Sequence, residues 1–258
     1  MSKIIYYYQT FIGLKDILNK NTKVTHIHLS SIHFGTNNNP YIHLNDNNPY
    51  DTIFDSLWTD LKEAKKLGIK IVLMVGGAGG AFQTLFSEFN IYYNLLKKLL
   101  LDKKDIIDGV DLDIEESVLL TNVESLITKI NIDFGNTFII TMAPIQYSME
   151  NDEPGMGGFI YKTLYKSLGN LITYFNVQCY NDFSLNAYST IINNGYPQEK
   201  IVIGSISSQD INTTINEIKK IKLKYPLFSG VYNWEYFDSP PNKSNPGEWS
   251  NLIFNAIN

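Results

Sequence analysis

Cysteine is almost absent from this chain. Cys179 stands alone among 258 residues, so no internal disulfide forms and folding does not depend on an oxidising compartment. Long apolar runs are missing too. No stretch approaches the roughly 20 apolar residues of a bilayer-spanning helix, so no membrane partner is expected. The opening Met1-Ser2-Lys3-Ile4-Ile5-Tyr6-Tyr7-Tyr8-Gln9 does not read as an export signal: its apolar run is short and no small-residue cleavage site follows. Asn212-Thr213-Thr214 and Asn242-Lys243-Ser244 are glycosylation sequons, expected to be unused in a chain without such a signal. Basic clusters are also lacking. Charged residues make up 18% and the net charge is -5, which argues against a nucleic-acid partner, because such surfaces concentrate Lys and Arg.

What is present is apolar and periodic. With 44% hydrophobic residues in 258, the chain can build one large core, and a single α/β barrel commonly has this length. Ile-, Val- and Tyr-rich runs predict strands over residues 3–8, 24–30, 69–75, 106–115, 137–144, 174–180, 200–204 and 228–234. Helical segments are expected over residues 11–18, 53–67, 92–101, 118–130, 159–168, 185–192, 211–223 and 249–257. The second of these is the clearest, with Ile53, Phe54, Leu57, Leu61, Ala64 and Leu67 in helical period and Gly68 as its C-cap. Asn37-Asn38-Asn39-Pro40 and residues 45–49 read as turns around a small hairpin. Strand and helix alternate and no composition break marks a linker. The expectation is a (β/α)8 TIM barrel, one domain over residues 1–258 with no inserted α+β domain; an open doubly wound sheet is the alternative. A barrel places its chemistry at the C-terminal strand ends.

One strand is unlike the rest. In Asp108-Gly109-Val110-Asp111-Leu112-Asp113-Ile114-Glu115, acidic and apolar residues alternate. Asp111, Asp113 and Glu115 then share one face, each roughly 6.6 Å from the next. Crowded carboxylates repel one another, and burying them is unfavourable unless they share protons and hydrogen bonds. Spacing alone leaves three readings: a solvated edge, a divalent-metal site, or acid/base chemistry. The apolar Ile106, Ile107 and Val110 argue against an edge. Glu115, last of the row, lies nearest the barrel mouth and is the candidate proton donor, with Asp113 deeper and Asp111 below. Negative neighbours raise a carboxyl pKa, and the proton is best described as shared within the row. Asp108 and Glu116 have the other parity; Asp108 reads as a structural acid.

Other residues gather where the barrel places its mouth. His26 and His28 face the barrel interior; with His33 or His43 they suit a metal, but interior packing is the more ordinary role of such histidines. Gly76-Gly77-Ala78-Gly79-Gly80 lacks the Gly-Lys-Ser/Thr ending of a P-loop and reads as close approach of backbone to a ligand. Trp234 is either core or a platform for a sugar ring, and the acid row favours the platform. Gln178 and Tyr180 share a parity, and Asn181 follows them. A two-carboxylate glycosidase needs acids on both sides of the scissile bond, whereas these lie on one strand, which fits a nucleophile supplied by the substrate.

The acid row resembles the DxxDxDxE motif of the family 18 glycoside hydrolases, the chitinases. The resemblance runs along the chain. Leu73-Met74-Val75-Gly76-Gly77 is similar to the family's SxGG segment, Met142-Ala143-Pro144 to its fifth-strand segment, and Gln178-Cys179-Tyr180-Asn181 to its Q-x-Y-N; Trp234 fits the Trp that floors the -1 subsite. Short loops resemble the compact plant and fungal type. The resemblance implies a retaining, substrate-assisted hydrolase of β-1,4-linked N-acetylglucosamine, chitin or its oligomers, with no metal or cofactor. It implies Glu115 as the acid, Asp113 and Asp111 as its charge partners, and Tyr180 as the group bonded to the acetamido oxygen. Trp234, Gln178, Asn181, Met142, Gly76, Gly77 and Tyr8 form the implied substrate-binding set. A monomer is expected, acting outside the cell if the chain is a mature form.

One departure stands out: the Ser of SxGG is Met74, which removes a hydroxyl, and His26 or His28 is a candidate replacement. Two other functions compete, an endo-β-N-acetylglucosaminidase acting on N-glycans and an inactive chitin-binding lectin; retention of Glu115 speaks against the latter. Phe82, Tyr236 and Phe237 are candidate exposed aromatics along the cleft.

Overall fold

The computed structural model describes residues 2–36 and 39–258. Eight parallel strands close into a barrel: β1 (Lys3–Tyr8), β2 (His26–Gly35), β4 (Lys70–Gly76), β5 (Gly109–Asp113), β6 (Ile139–Met142), β7 (Tyr174–Gln178), β8 (Ile201–Ile206) and β9 (Gly230–Trp234). Closure is made by β1, which pairs with β2 on one side and β9 on the other. The short β3 (Tyr41–Leu44) lies outside the ring, antiparallel on the far end of β2. This is the hairpin anticipated from the turn residues, although Asn37 and Asn38 lie outside the described residues. β2 runs to Gly35, beyond the sequence expectation of residue 30.

Helices surround the ring: α1 (Asp55–Lys66), α2 (Phe82–Ser87), α3 (Phe89–Asp102), α4 (Leu120–Phe134), α5 (Gln146–Glu150), α6 (Tyr161–Leu168), α7 (Leu185–Asn193), α8 (Ile211–Lys224) and α9 (Gly247–Ile257). One expected helix does not form. Residues 11–18 make a single turn, in which Leu14 O accepts from Ile17 N and Leu18 N. α9 packs against that turn: a Cβ on Gly247 would meet Asp16 O at 2.6 Å. α2 and α5 were not anticipated.

Two apolar layers hold the fold. Between strands and helices lies the large core, which includes Tyr6, Tyr8, Leu29, Leu73, Val110, Leu112, Ile114, Met142, Phe175 and Trp249. Inside the ring Ile5, Tyr7, Met74, Tyr174, Val202 and Tyr232 interdigitate. Large and small residues alternate there, as close packing requires. Gly204 is the example: an added Cβ would sit 1.9 Å from the Tyr232 ring that fills its place. No helix is long and apolar enough to cross a membrane, among the described residues.

Candidate active site

The β5 row stands as its parity predicts, graded in burial from floor to mouth. Asp111 is completely buried, Asp113 is 6% exposed, and Glu115 is half-buried just beyond the strand end. Val110, Leu112 and Ile114 point the other way, into the core beneath the helices.

Each acid has a different environment. Asp111 is ringed by neighbouring strands. Tyr7 OH donates to Oδ2 at 2.7 Å, Thr141 Oγ1 to Oδ1 at 2.5 Å, and Asn176 Nδ2 to Oδ1 at 3.3 Å. His28 Nδ1 lies 3.3 Å from Oδ2. Burial alone would raise the Asp111 carboxyl, but the His28 charge and these donors outweigh it and hold the group below the usual carboxylate range. Asp113 is driven the opposite way: burial first, then the charges of Glu115 and Asp111, push it well above that range. Asp113 is therefore the natural seat of the proton within the row. Gln178 Nε2 spans the upper pair, donating to Asp113 Oδ1 and Glu115 Oε1 at 3.3 Å each, and is anchored on Ala143 O at 2.9 Å.

Above the row lies a cavity of ≈ 240 Å³ whose walls are Gln9, Ser31, Met74, Gly76, Gly77, Ala78, Asp113, Glu115, Gln178, Tyr180 and Trp234. Tyr180 OH accepts from Tyr232 OH at 3.1 Å, which leaves its own proton free for a ligand. Gly76 and Gly77 turn away from β4 with φ of 93° and 84°, and Gly77 N donates to Asp113 O at 2.8 Å. A second groove continues on the far side of Glu115, Gln178 and Tyr180, bordered by Gln146, Tyr147, Met156, Asn181 and Asp182.

The structure thus brings Glu115, Asp113, Gln178, Tyr180, Trp234, Gly76 and Gly77 around one cavity, with Asp111 beneath and Asn181 in the adjoining groove. Two expected binding residues stand elsewhere. Met142 faces outward, paired with Leu112 and Phe175 in the helix-covered core; its inward neighbour Thr141 is the one that reaches Asp111. Tyr8 also faces outward, its hydroxyl accepting from Gly13 N at 2.9 Å and its ring against Phe11 and Tyr236; Tyr7 takes the inward place. Phe82 and Tyr236 are fully buried and cannot line a cleft, while Phe237 is 38% exposed.

Three residues escaped the sequence reading. Gln9 and Ser31 line the cavity, beside Ala78 of the expected glycine cluster. Glu235, nearly buried, accepts from Gln9 N at 2.8 Å, Thr10 N at 2.9 Å and Thr10 Oγ1 at 2.8 Å, which clamps the end of β1 beside Trp234. Asn45 ties the hairpin to the same rim, donating to Gln9 O at 3.0 Å and accepting from Ser31 N at 3.2 Å. The off-parity acids hold backbone: Asp108 accepts from Ile71 N at 3.0 Å and pairs with Lys65 and Lys70, and Glu116 accepts from Ala81 N and Phe82 N. Among the described residues no group of three or more His, Cys, Asp or Glu is arranged to hold a metal ion. His33 and His43 instead stack in the hairpin.

No protein-family model matches this chain, and no curated protein matches it. Solved structures do. A fungal endo-β-N-acetylglucosaminidase of glycosyl hydrolase family 18 superposes with a TM-score of 0.91 at 29% identity, over 99% of this chain and 98% of its own. A chitinase of Aspergillus fumigatus gives a TM-score of 0.87 at 27% identity, over 100% of both chains. A family 18 chitinase of Pseudoalteromonas aurantia, at 22% identity and a TM-score of 0.78, shares the fold. Over essentially its whole length, the chain is a structural homologue of the family 18 chitinases and endo-β-N-acetylglucosaminidases.

Proposed function

We propose that this protein is a retaining hydrolase of β-1,4-linked N-acetylglucosamine chains that uses the substrate's own acetamido group as nucleophile. The observation that carries the reading is the arrangement of acids around the cavity. Asp113 and Glu115 come from one strand and its end, bridged by Gln178, and no other residue lining the cavity carries a carboxylate. A displacement at the anomeric carbon needs a nucleophile on the side away from the acid, and an acetamido oxygen supplies it.

The steps follow from position. Trp234 floors the sugar ring. Glu115, nearest the mouth, takes the row's proton from Asp113 and gives it to the glycosidic oxygen as the bond to the anomeric carbon breaks. The acetamido oxygen forms a bond to that carbon, giving an oxazolinium ion. Asp113, now ionised, orients the acetamido N–H and balances the developing positive charge, and Tyr180 donates to the acetamido oxygen. Water then adds to the anomeric carbon from the opposite face as the bond from the acetamido oxygen breaks; it loses a proton to Glu115, the acetamido group is regenerated, and the original configuration is restored.

A second reading has its own support: the fungal relative at 29% identity is an endo-β-N-acetylglucosaminidase, and the same chemistry would cut the chitobiose core of an N-glycan. Hydrolysis of N-acetylglucosamine trimer to hexamer and of a high-mannose glycoprotein, with wild type and E115Q side by side and anomers followed by NMR, separates the two. Cleavage of oligomers with the β-anomer appearing first, and a fall in kcat/KM of roughly 10²–10⁴ in E115Q, is the expected result. Cleavage of the glycoprotein alone favours the second reading. Binding without cleavage of either overturns both and leaves a lectin.

A further inference from the structure

The floor of the acid row contains a titratable partner that the reaction above does not use. His28 is completely buried on β2. Its Nε2 lies 3.2 Å from Tyr174 OH. Its Nδ1 makes no well-aligned hydrogen bond, and it lies 3.3 Å from Asp111 Oδ2, also fully buried. Of the two strands beside β5, β6 supplies Thr141 to that carboxylate, but β4 offers it no donor. In the register of β4 against β5, Met74 is the residue beside Asp111, and its thioether has no hydrogen to give. The sulfur is itself an acceptor, taking Ser30 Oγ at 3.0 Å.

We propose that His28 is a positioning residue for the acid row: it sets its Nδ1 beside Asp111, on the wall that Met74 leaves without a donor, and so decides which acid holds the shared proton. A carboxylate stripped of water is unfavourable unless donors and opposite charge surround it. With His28 in place, Asp111 keeps its negative charge. A second anion directly above it is then disfavoured, so the proton stays on Asp113, where Glu115 is the neighbouring acid. The opposite directions of Asp111 and Asp113 agree with this division. Without His28, Asp111 competes for that proton and Asp113 is left ionised for more of the time.

Charged and titratable groups around the pair come from each packed strand. His28 meets Tyr7 from β1, its ring 4.8 Å away, Tyr174 from β7, and Asp111 from β5. Two residues back on β2 is His26, itself held low by burial and then by His28, Lys3 and Lys70. Asp111 also meets Thr141 from β6 and Asn176 from β7, with Asp113 above.

Two variants separate direction of the proton from packing. H28L keeps bulk and removes both nitrogens; H28N keeps an N–H near the Nδ1 position. The first readout is a ¹³C-carboxyl NMR titration of Asp111 and Asp113 in the intact chain. Asp111 is expected to titrate at least one pH unit higher in H28L, and H28N is expected to restore more than half of that shift. Should H28L fail to fold, H28Q replaces it. The second readout, which rests on the proposed function, is the pH dependence of kcat/KM on N-acetylglucosamine oligomers. Its acidic limb is expected to move upward by about as much in H28L, with KM changed less than twofold. An unmoved Asp111 titration in every variant, with only the melting temperature changed, overturns the proposal and leaves His28 as packing. If wild type cuts no oligomer, the proposed function fails, and the carboxyl titration still decides the role of His28.

Discussion

Asp111 and Asp113 are the same residue type, two positions apart on one strand, yet they are held in opposite states. Asp111 has donors on three strands and the His28 ring on a fourth, and Asp113 has anions above and below it. The consequence for stability follows from linkage. A carboxyl raised in the folded state stabilises the fold below its unfolded value, near pH 4, and that contribution is lost as pH rises through the raised folded value. D113N has no charge to bury, so its melting temperature should gain on wild type as pH goes from about 4 to 8. The gain should be roughly 3 °C or more, while cleavage is lost. Equal melting curves across that range would place the proton elsewhere. For Asp111 the sign reverses: its contribution is present above the unfolded value and lost as pH falls through the lowered folded one. This acid row was legible in the sequence because charge alternates with apolar residues. Tyr6-Tyr7-Tyr8 gives no such signal. All three are buried, on both faces of β1, so nothing in their chemistry says that Tyr7 looks inward. Met142 was placed at the site through its resemblance to the family's fifth-strand segment, although Thr141 beside it carries the one polar side chain on β6.

At the level of elements, the end of β4 is where geometry is tightest. Gly76 has a φ of 93°, and an added Cβ would meet Asp113 O at 2.3 Å and the Phe82 ring at 2.5 Å. The first neighbour is backbone and cannot swing aside. G76A should therefore lower stability by at least ~1–3 kcal/mol, read as a reduced urea midpoint. It should also lower kcat, because the strand it pushes carries Asp113. An unchanged midpoint would mean that the turn relaxes without disturbing β5. The sequence signalled this turn through its glycines, and it signalled the eight barrel strands through their apolar runs. It did not signal that residues 11–18 stop after one turn. Phe11, Leu14, Ile17 and Leu18 fit a helical period, but the backbone of the turn lies against the start of α9, where a Cβ on Gly247 would meet Asp16 O at 2.6 Å. Nor did it signal Glu235, whose work is done on backbone N–H groups that carry no side-chain signature.

For the molecule as a whole, stability rests on barrel closure and its two apolar layers, with no covalent tie. Cys179 is 1% exposed, and burial pushes its thiol well above the ordinary range. Reducing agent should leave the melting temperature unchanged. A thiol reagent should label Cys179 only as fast as the barrel opens, and labelling on mixing would show that the segment just after β7 opens to solvent locally. Closure has another consequence. In a ring, each strand's backbone groups are satisfied by its two neighbours, so Ile4, Ile5 and the tyrosines beside them never offer an open hydrogen-bonding row to another molecule. Released from the ring, the same segment combines high β-propensity with little charge, the composition of segments that stack chain upon chain. The folded protein is its own protection against fibre formation, and its recovery after unfolding should worsen steeply as protein concentration rises.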